Sequence, residues 1–266
     1  MPDRDKFAVL RAARRVWAVG AVHSEVERLA RLHEALWPRL EPGDRIVYLG
    51  NLIGRQSRVV ETIDALLEFR RAFLAEPLSF VEDIVYLRGG QEEMWQKLLQ
   101  LQFATAPLDV LGWMIDQGVG ATLEAYGGSV EEARREANGG AISMSRWTGR
   151  LRTTMQAHEG HRSFFSALRR AAFTDDGGLL FVNAGLDPSR PLEAQFDSFW
   201  WGGRAFQRIT DPYGGYRRVV RGFAPRHPGI ELGDYSGTVD GGCGLGGALM
   251  AGCFIPSGEL VDSLSA

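Results

Sequence analysis

The sequence predicts an α/β protein, and two observations carry that prediction. First, near-continuous apolar runs at Val16–Val19, Ile46–Leu49 and Ile84–Leu87 are separated by stretches of helical periodicity, as buried parallel strands joined by helices require. Second, each run reaches a glycine and then presents polar side chains: Gly20-Ala21-Val22-His23-Ser24, Gly50-Asn51-Leu52-Ile53-Gly54-Arg55 and Gly89-Gly90-Gln91-Glu92-Glu93. Ligands of open α/β sheets gather outside the carboxyl ends of the strands, where glycine lets the backbone turn sharply. The three turns are therefore expected to converge on one site.

Taken in order, residues 1–15 mix charge with Phe7, Val9 and Leu10, which suits a short helix or an arm. After the first strand and turn, Val26, Leu29, Leu32 and Leu36 fall at helical spacing, and Pro38 to Gly43 close that helix. Val59, Ile63, Leu66, Leu67 and Phe69 give the next amphipathic helix, and both helices are expected to pack on the sheet. A looser link covers 72–82, and a third helix covers 92–103. The interval 104–175 contains no clear strand and several helical stretches, over 108–117, 130–136 and 161–172, with Gly127-Gly128 and Gly139-Gly140 as punctuation. His158 and His161 could share a helix face as metal ligands, but Gly160 weakens that helix and no third ligand stands nearby, so the pair reads as an exposed helix start. Leu179–Val182 returns as a strand. The aromatic run Phe196, Phe199, Trp200, Trp201 and Phe206 reads as core beneath the helical interval, or as the floor of a nucleobase pocket. Pro212–Gly215 is a loop, and a strand at Leu249–Ile255, a Pro256-Ser257-Gly258 turn and Leu260-Val261 close the chain.

Composition bounds the function. With 266 residues, 45% of them hydrophobic, the chain can bury a full core as one large domain or two small ones. A net charge of −3 argues against a nucleic-acid footprint, and the arginines 204, 208, 217, 218, 221 and 226 read as a solvated basic face. Cys243 and Cys253 fit no zinc spacing and suit a reduced compartment. No apolar run approaches the roughly 18 residues of a membrane span, and the N-terminus has no secretory pattern. A soluble, cytoplasmic protein without a membrane partner is expected.

The motifs then resemble a family. The three turns are similar to the Gly-Asp-x-His-Gly, Gly-Asp-x-x-Asp-Arg and Gly-Asn-His-Glu signatures of the calcineurin-like metallophosphoesterases, in the bacterial serine/threonine phosphatase and symmetrical diadenosine-tetraphosphatase branch. Gly118–Gly127 resembles that branch's Gly-Gly-x-x-Thr-Leu-x-Ser-Tyr-Gly, and Phe181–Leu186 its Phe-Val-His-Ala-Gly-Leu. Val220–Pro225 looks like its Gly-His-Thr-Pro turn and Val239–Gly247 like its closing Asp-Thr-Gly-x-x-x-Gly-Gly hairpin. The resemblance spans nearly the whole chain in order. It implies a four-layer α/β/β/α sandwich of two mixed sheets, a single domain over 1–266, and a helical insertion at about 104–175 that covers the site.

The departures decide the functional expectation. The family holds two divalent metals, such as Mn or Fe, at positions that read here Ala21, His23, Asn51, Gly90, Asn183 and Phe223, of which only His23 keeps the family's residue. Two cations a few ångströms apart need anionic oxygens and imidazoles. Ala21, Gly90 and Phe223 offer no side-chain ligand, and Asn51 and Asn183 are neutral. The family's acid for the leaving group is Gln91 here, which cannot deliver a proton near neutral pH, and Gly54 replaces the aspartate that would orient it. No metal or other cofactor is therefore expected. What remains are Arg55, Arg88 and Arg204, matching the family's arginines, whose planar forks suit phosphate oxygens; alternatively they pair with local acids such as Glu92 or Asp240. The sequence thus points to a catalytically degenerate metallophosphoesterase that binds a protein partner or a phosphorylated ligand. Two other readings stay open: a hydrolase with a shifted or single-metal site on His23 with Asn51, Asn183 or Asp240, and a structural subunit whose old pocket Phe223 fills.

Overall fold

The computed structural model describes residues 6–266. Its elements, in chain order, are β1 (Phe7–Leu10), β2 (Arg15–Val19), α1 (Val26–Leu36), β3 (Asp44–Tyr48), α2 (Val59–Ala75), β4 (Ile84–Tyr86) and α3 (Gly90–Leu98). Five helices follow: α4 (Pro107–Asp116), α5 (Gly120–Ala125), α6 (Val130–Asn138), α7 (Gly140–Ala157) and α8 (His161–Ala167). The chain then forms β5 (Ala171–Thr174), β6 (Leu179–Val182), α9 (Ser198–Trp201), α10 (Gly203–Phe206), β7 (Arg218–Arg221), β8 (Gly229–Leu232), β9 (Ser236–Asp240), β10 (Met250–Phe254) and β11 (Leu260–Ser265).

Two mixed sheets result. One has the order β11-β10-β2-β3-β4, with β2, β3 and β4 parallel; the other has the order β1-β5-β6-β7-β9-β8, with β6, β7 and β9 parallel. They pack face to face through Val16, Ala18, Val47, Phe181, Val220, Val239 and Phe254, all fully buried. Phe181 of β6 and Phe254 of β10 meet edge to face across that interface, with ring centroids 6.4 Å apart. The outer face of the first sheet is covered by α1, α2 and the helices that follow α3, through a core that includes Trp17, Tyr48, Ile63, Trp95 and Trp147. Leu29, Leu32 and Leu36 of α1 point into it, as their spacing predicts. The outer face of the second sheet carries α9 and α10 through Phe199, Trp200 and Phe206. This is the expected four-layer α/β/β/α arrangement.

Several expectations change. Residues 7–10, read as helix or arm, form an edge strand parallel to β5, while residues 1–5 lie outside the described residues. The interval read as strandless contains β5 near its end, and the helix expected over 161–172 stops at Ala167. The chain over 72–75 belongs to α2 rather than to a link, and the third helix ends at Leu98 before a short 3-10 turn at Leu101–Phe103. Val219 onward, which the resemblance places in the second sheet, forms β7, β8 and β9 there, β8 pairing antiparallel with β9. His161 is fully buried instead of starting an exposed helix: Asp64 lies 3.0 Å from its Nε2 and the Tyr126 hydroxyl 2.7 Å from its Nδ1. The arginine series does not form one face either. Arg221 is buried, donating to Thr238 and lying over the Phe206 ring, and Arg218 donates to the Gly233 and Ser236 carbonyls.

Among the described residues no helix is long and apolar enough to cross a membrane. Cys243 and Cys253 are buried free thiols, pushed up to about 12 by burial.

Candidate functional site

The turns after β2, β3, β4, β6 and β7 meet at one end of the two sheets, and hydrogen bonds stitch them into a ring. The Asn51 carbonyl accepts from the amides of Val22 and His23, and the Leu52 carbonyl from that of Ser24. Ala21 donates to the Gly222 carbonyl, and Gly222 and Phe223 both donate to the Asn183 carbonyl. Glu92 joins the second and third turns: its buried carboxylate accepts from the amides of Gly89, Asn51, Leu52 and Ile53, at 2.7 to 3.1 Å. Burial pushes its pKa upward, and the amide donors act in the opposite direction.

Asn51 and Asn183 complete the ring with their side chains. Asn51 Oδ1 accepts from the Gln91 amide at 3.0 Å. Asn183 Oδ1 accepts from the Gly90 amide at 3.3 Å, and its Nδ2 donates to the Leu49 carbonyl at 2.7 Å. The Asn183 carboxamide both accepts and donates, which suits its position between backbone groups. Carboxylates could not donate to Leu49. The backbone carries strain here as well: His23, Ser24, Asn51 and Arg55 all have positive φ, between 51° and 62°, a conformation that costs non-glycine residues of order 1–3 kcal/mol each and clusters at functional sites.

The donor set does not fit a two-metal centre. Among the described residues no group of three His, Cys, Asp or Glu side chains could hold a metal ion. Ala21, Gly90 and Phe223 supply no donor, both asparagine side-chain oxygens already accept from backbone amides, and Glu92 faces amide hydrogens. Asp240, considered as a donor to a shifted site, is taken by the amides of Ala224 and Gly242 and by His227 Nδ1 at 2.8 Å. Gln91 occupies the space that Gly54 leaves: Gly54 has φ +83°, and a Cβ there would collide with the Gln91 carboxamide. Its Nε2 donates to the Gln117 carbonyl.

Above this ring lies a cleft of about 320 Å³ lined by His23, Arg55, Gln91, Met94, Trp200, Trp201, Arg204 and Phe223, with Asn51 and Gly90 in its wall. Phe223 lines the cleft rather than filling it. The absent side chain at Gly90 makes room for Trp201, whose ring would stand 3.1 Å from a Cβ at that position. Trp113 of α4 packs edge to face on Trp201, centroids 5.4 Å apart, so the helical interval reaches the rim. His23 is 1% exposed, stacks edge to face on Phe223, and has no hydrogen-bond partner on either ring nitrogen. Desolvation, reinforced by the Arg55 charge, lowers its pKa to about 3 against a weak pull from the Ile53 backbone, so it is neutral near pH 7.

The three arginines separate. Arg55 and Arg204 line the cleft, and neither forms an ion pair with a described residue. Burial without a counter-ion lowers the Arg55 pKa. Arg88 is not in the cleft; it pairs with Glu93 at 3.2 Å, and its carbonyl receives the Trp200 indole. Glu92 and Asp240, named as local acids for these arginines, bind backbone instead. Of the aromatic run, Phe199 and Phe206 are core, Phe196 is exposed, and Trp200 and Trp201 wall the cleft. Sequence reasoning missed the bracing roles of Glu92 and Asn51, although a carboxylate three residues after Gly89 at a helix start is a recognisable capping signal.

The fold is that of known phosphoesterases. No protein-family model matches the sequence, and no curated protein matches it. Among solved structures, one described as a candidate diadenosine tetraphosphatase superposes with a TM-score of 0.56 at 16% identity, covering 98% of this chain and 97% of that one. A protein serine/threonine phosphatase from Saccharomyces cerevisiae with similarity to human phosphatase PP5 gives a TM-score of 0.51 at 12% identity, covering 92% and 76%. This chain shares their fold.

Proposed function

We propose that this chain is a catalytically degenerate metallophosphoesterase-like protein that binds an anionic, phosphorylated ligand in the cleft and acts through that binding, alone or with a protein partner. One observation carries the reading: the Asn51 and Asn183 carboxamides brace the turns where metal-holding chemistry would need a carboxylate and an imidazole, while Arg55 and Arg204 line the cleft without an ion pair among the described residues. The Arg55 guanidinium, partly stripped of water and without a counter-ion among the described residues, favours an anion. Gln91 in place of an acid leaves no group to protonate a leaving alkoxide.

The hydrolase reading has one observation in its favour, the two unpartnered nitrogens of His23. A single imidazole with neutral carbonyls is a weak divalent site. Assays of p-nitrophenyl phosphate hydrolysis with Mn²⁺ or Fe²⁺ separate the two readings. Degenerate chemistry gives background rates; robust turnover that vanishes in His23→Ala gives the site back to catalysis.

A further inference from the structure

The outer face of the second sheet is only partly roofed. The helices α9 and α10 have four residues each and cover part of it through Phe199 and Phe206. Towards the edge strand, Phe7 of β1 and Phe173 of β5 stay half-buried beside Tyr216. Between the loops 188–193 and 208–216 these rings floor an open groove of about 630 Å³, well inside the ~300–1,000 Å³ range of ligand sites. It shares no lining residue with the cleft, so nothing in it depends on the anion reading.

The walls of the groove are braced. Gln195, fully buried, accepts from the Asp187 amide at 2.6 Å and donates to the Asp187 and Arg190 carbonyls, both at 2.8 Å. The Tyr213 hydroxyl donates to the same Arg190 carbonyl at 2.8 Å. Such bracing lowers the ordering cost that a ligand would otherwise meet. It also uses up backbone groups, and Pro188, Pro191 and Pro212 of the walls have no N–H to give. A peptide adding as a strand needs the unpaired edge of a sheet, whereas this floor is the face of one. The groove offers instead ring surface and a free donor: the Tyr216 ring lies 5.8 Å from that of Phe173, and its hydroxyl has no hydrogen-bond partner among the described residues. A polyproline segment matches that offer. Its prolines have no N–H to satisfy, its carbonyls accept, and its rings pack on aromatic side chains.

Charge sets the orientation. Arg190 and Arg208 share Asp187, at 3.5 and 3.7 Å. Glu193 and Asp211, one on each wall, form no ion pair with a described residue. Exposed acids of this kind attract and orient a cation on a partner more than they tighten its binding.

We propose that this groove binds a proline-rich, arginine-bearing segment of a partner protein in the extended polyproline conformation, its prolines on Phe173 and Tyr216 and its arginine towards Glu193 and Asp211.

The test titrates the full chain into fluorescein-labelled octaproline carrying one terminal arginine, read by fluorescence anisotropy, with arginyl-octaglycine and glutamyl-octaproline as controls. Saturable binding of arginyl-octaproline is expected, with no saturation by the glycine peptide and several-fold weaker binding of the glutamyl peptide. Loss of the ring and its hydroxyl in Tyr216→Ala should weaken binding about tenfold, and loss of the hydroxyl alone in Tyr216→Phe a few-fold. Tyr216 packs on Phe173, so urea midpoints check that its variants fold. Glu193→Lys, at an exposed position, keeps the fold and should weaken arginyl-octaproline while strengthening glutamyl-octaproline. Absence of saturable binding, equal affinity for arginyl-octaglycine, or affinity unchanged in folded Tyr216→Ala overturns the proposal. Equal affinity for the two octaprolines, in the parent and in Glu193→Lys alike, overturns the arginine.

Discussion

His33 is a half-buried imidazole whose titration is tied to folding. It stacks on Phe69, with centroids 3.9 Å apart, lies 2.7 Å from the Tyr48 hydroxyl, and is held near pKa 3 by burial. The unfolded chain binds this proton near the ordinary value of about 6.5 and the folded chain does not. The stability it confers is therefore present above about pH 6.5 and is lost as pH falls towards 3, with a slope of up to about 1.4 kcal/mol per pH unit. Urea midpoints measured from about pH 7.5 to about pH 4.5 should fall less steeply in His33→Gln than in the parent. An equal slope would mean that the imidazole is protonated without cost. Asn183 offers a second test. Asn183→Leu strands the Leu49 carbonyl and the Gly90 amide in a dry interior, and urea unfolding should show a loss of about 1–3 kcal/mol. Its bracing role was hidden in the sequence because an asparagine in a turn looks the same whether it binds metal, ligand or backbone; only the crossing of β3, β4 and β6 turns reveals which.

At the scale of elements, the sheet-to-sheet joint depends on large side chains such as Phe181 and Phe254 meeting edge to face. Phe181→Ala opens a cavity between β6 and β10 and should cost about 3–5 kcal/mol in chemical denaturation; a loss below about 1 kcal/mol would mean that the sheets close over the gap. The strands β2, β3, β4 and β6 were legible because they are continuous apolar runs, and α1 and α2 because their apolar residues recur at helical spacing. The strands β1, β5 and β8 were not. Each has four residues, and β1 and β8 are edges, so their strand state comes from the neighbour they pair with rather than from their own pattern. Helix ends were also off by a few residues, where capping and tertiary contacts outweigh periodicity.

For the whole molecule, the sequence made visible that the glycine turns gather at one end of the sheets and that Ala21, Gly90 and Phe223 there carry no donor side chain. It could not show that Arg55 and Arg204 share a cleft while Arg88 turns away to Glu93, because that depends on how α9 and α10 lie over the third turn. Nor could it show that Gly90 and Trp201 exchange volume, one giving up a side chain where the other brings an indole. The central claim is that a phosphoesterase-like scaffold here holds its turns together with amides rather than ions. Isothermal titration of metal-free protein with Mn²⁺ tests this most directly. A scaffold held by amides gives no saturable heat and an unchanged unfolding midpoint with and without the metal. Saturable binding at micromolar or tighter affinity, above all of two ions per chain, would contradict it.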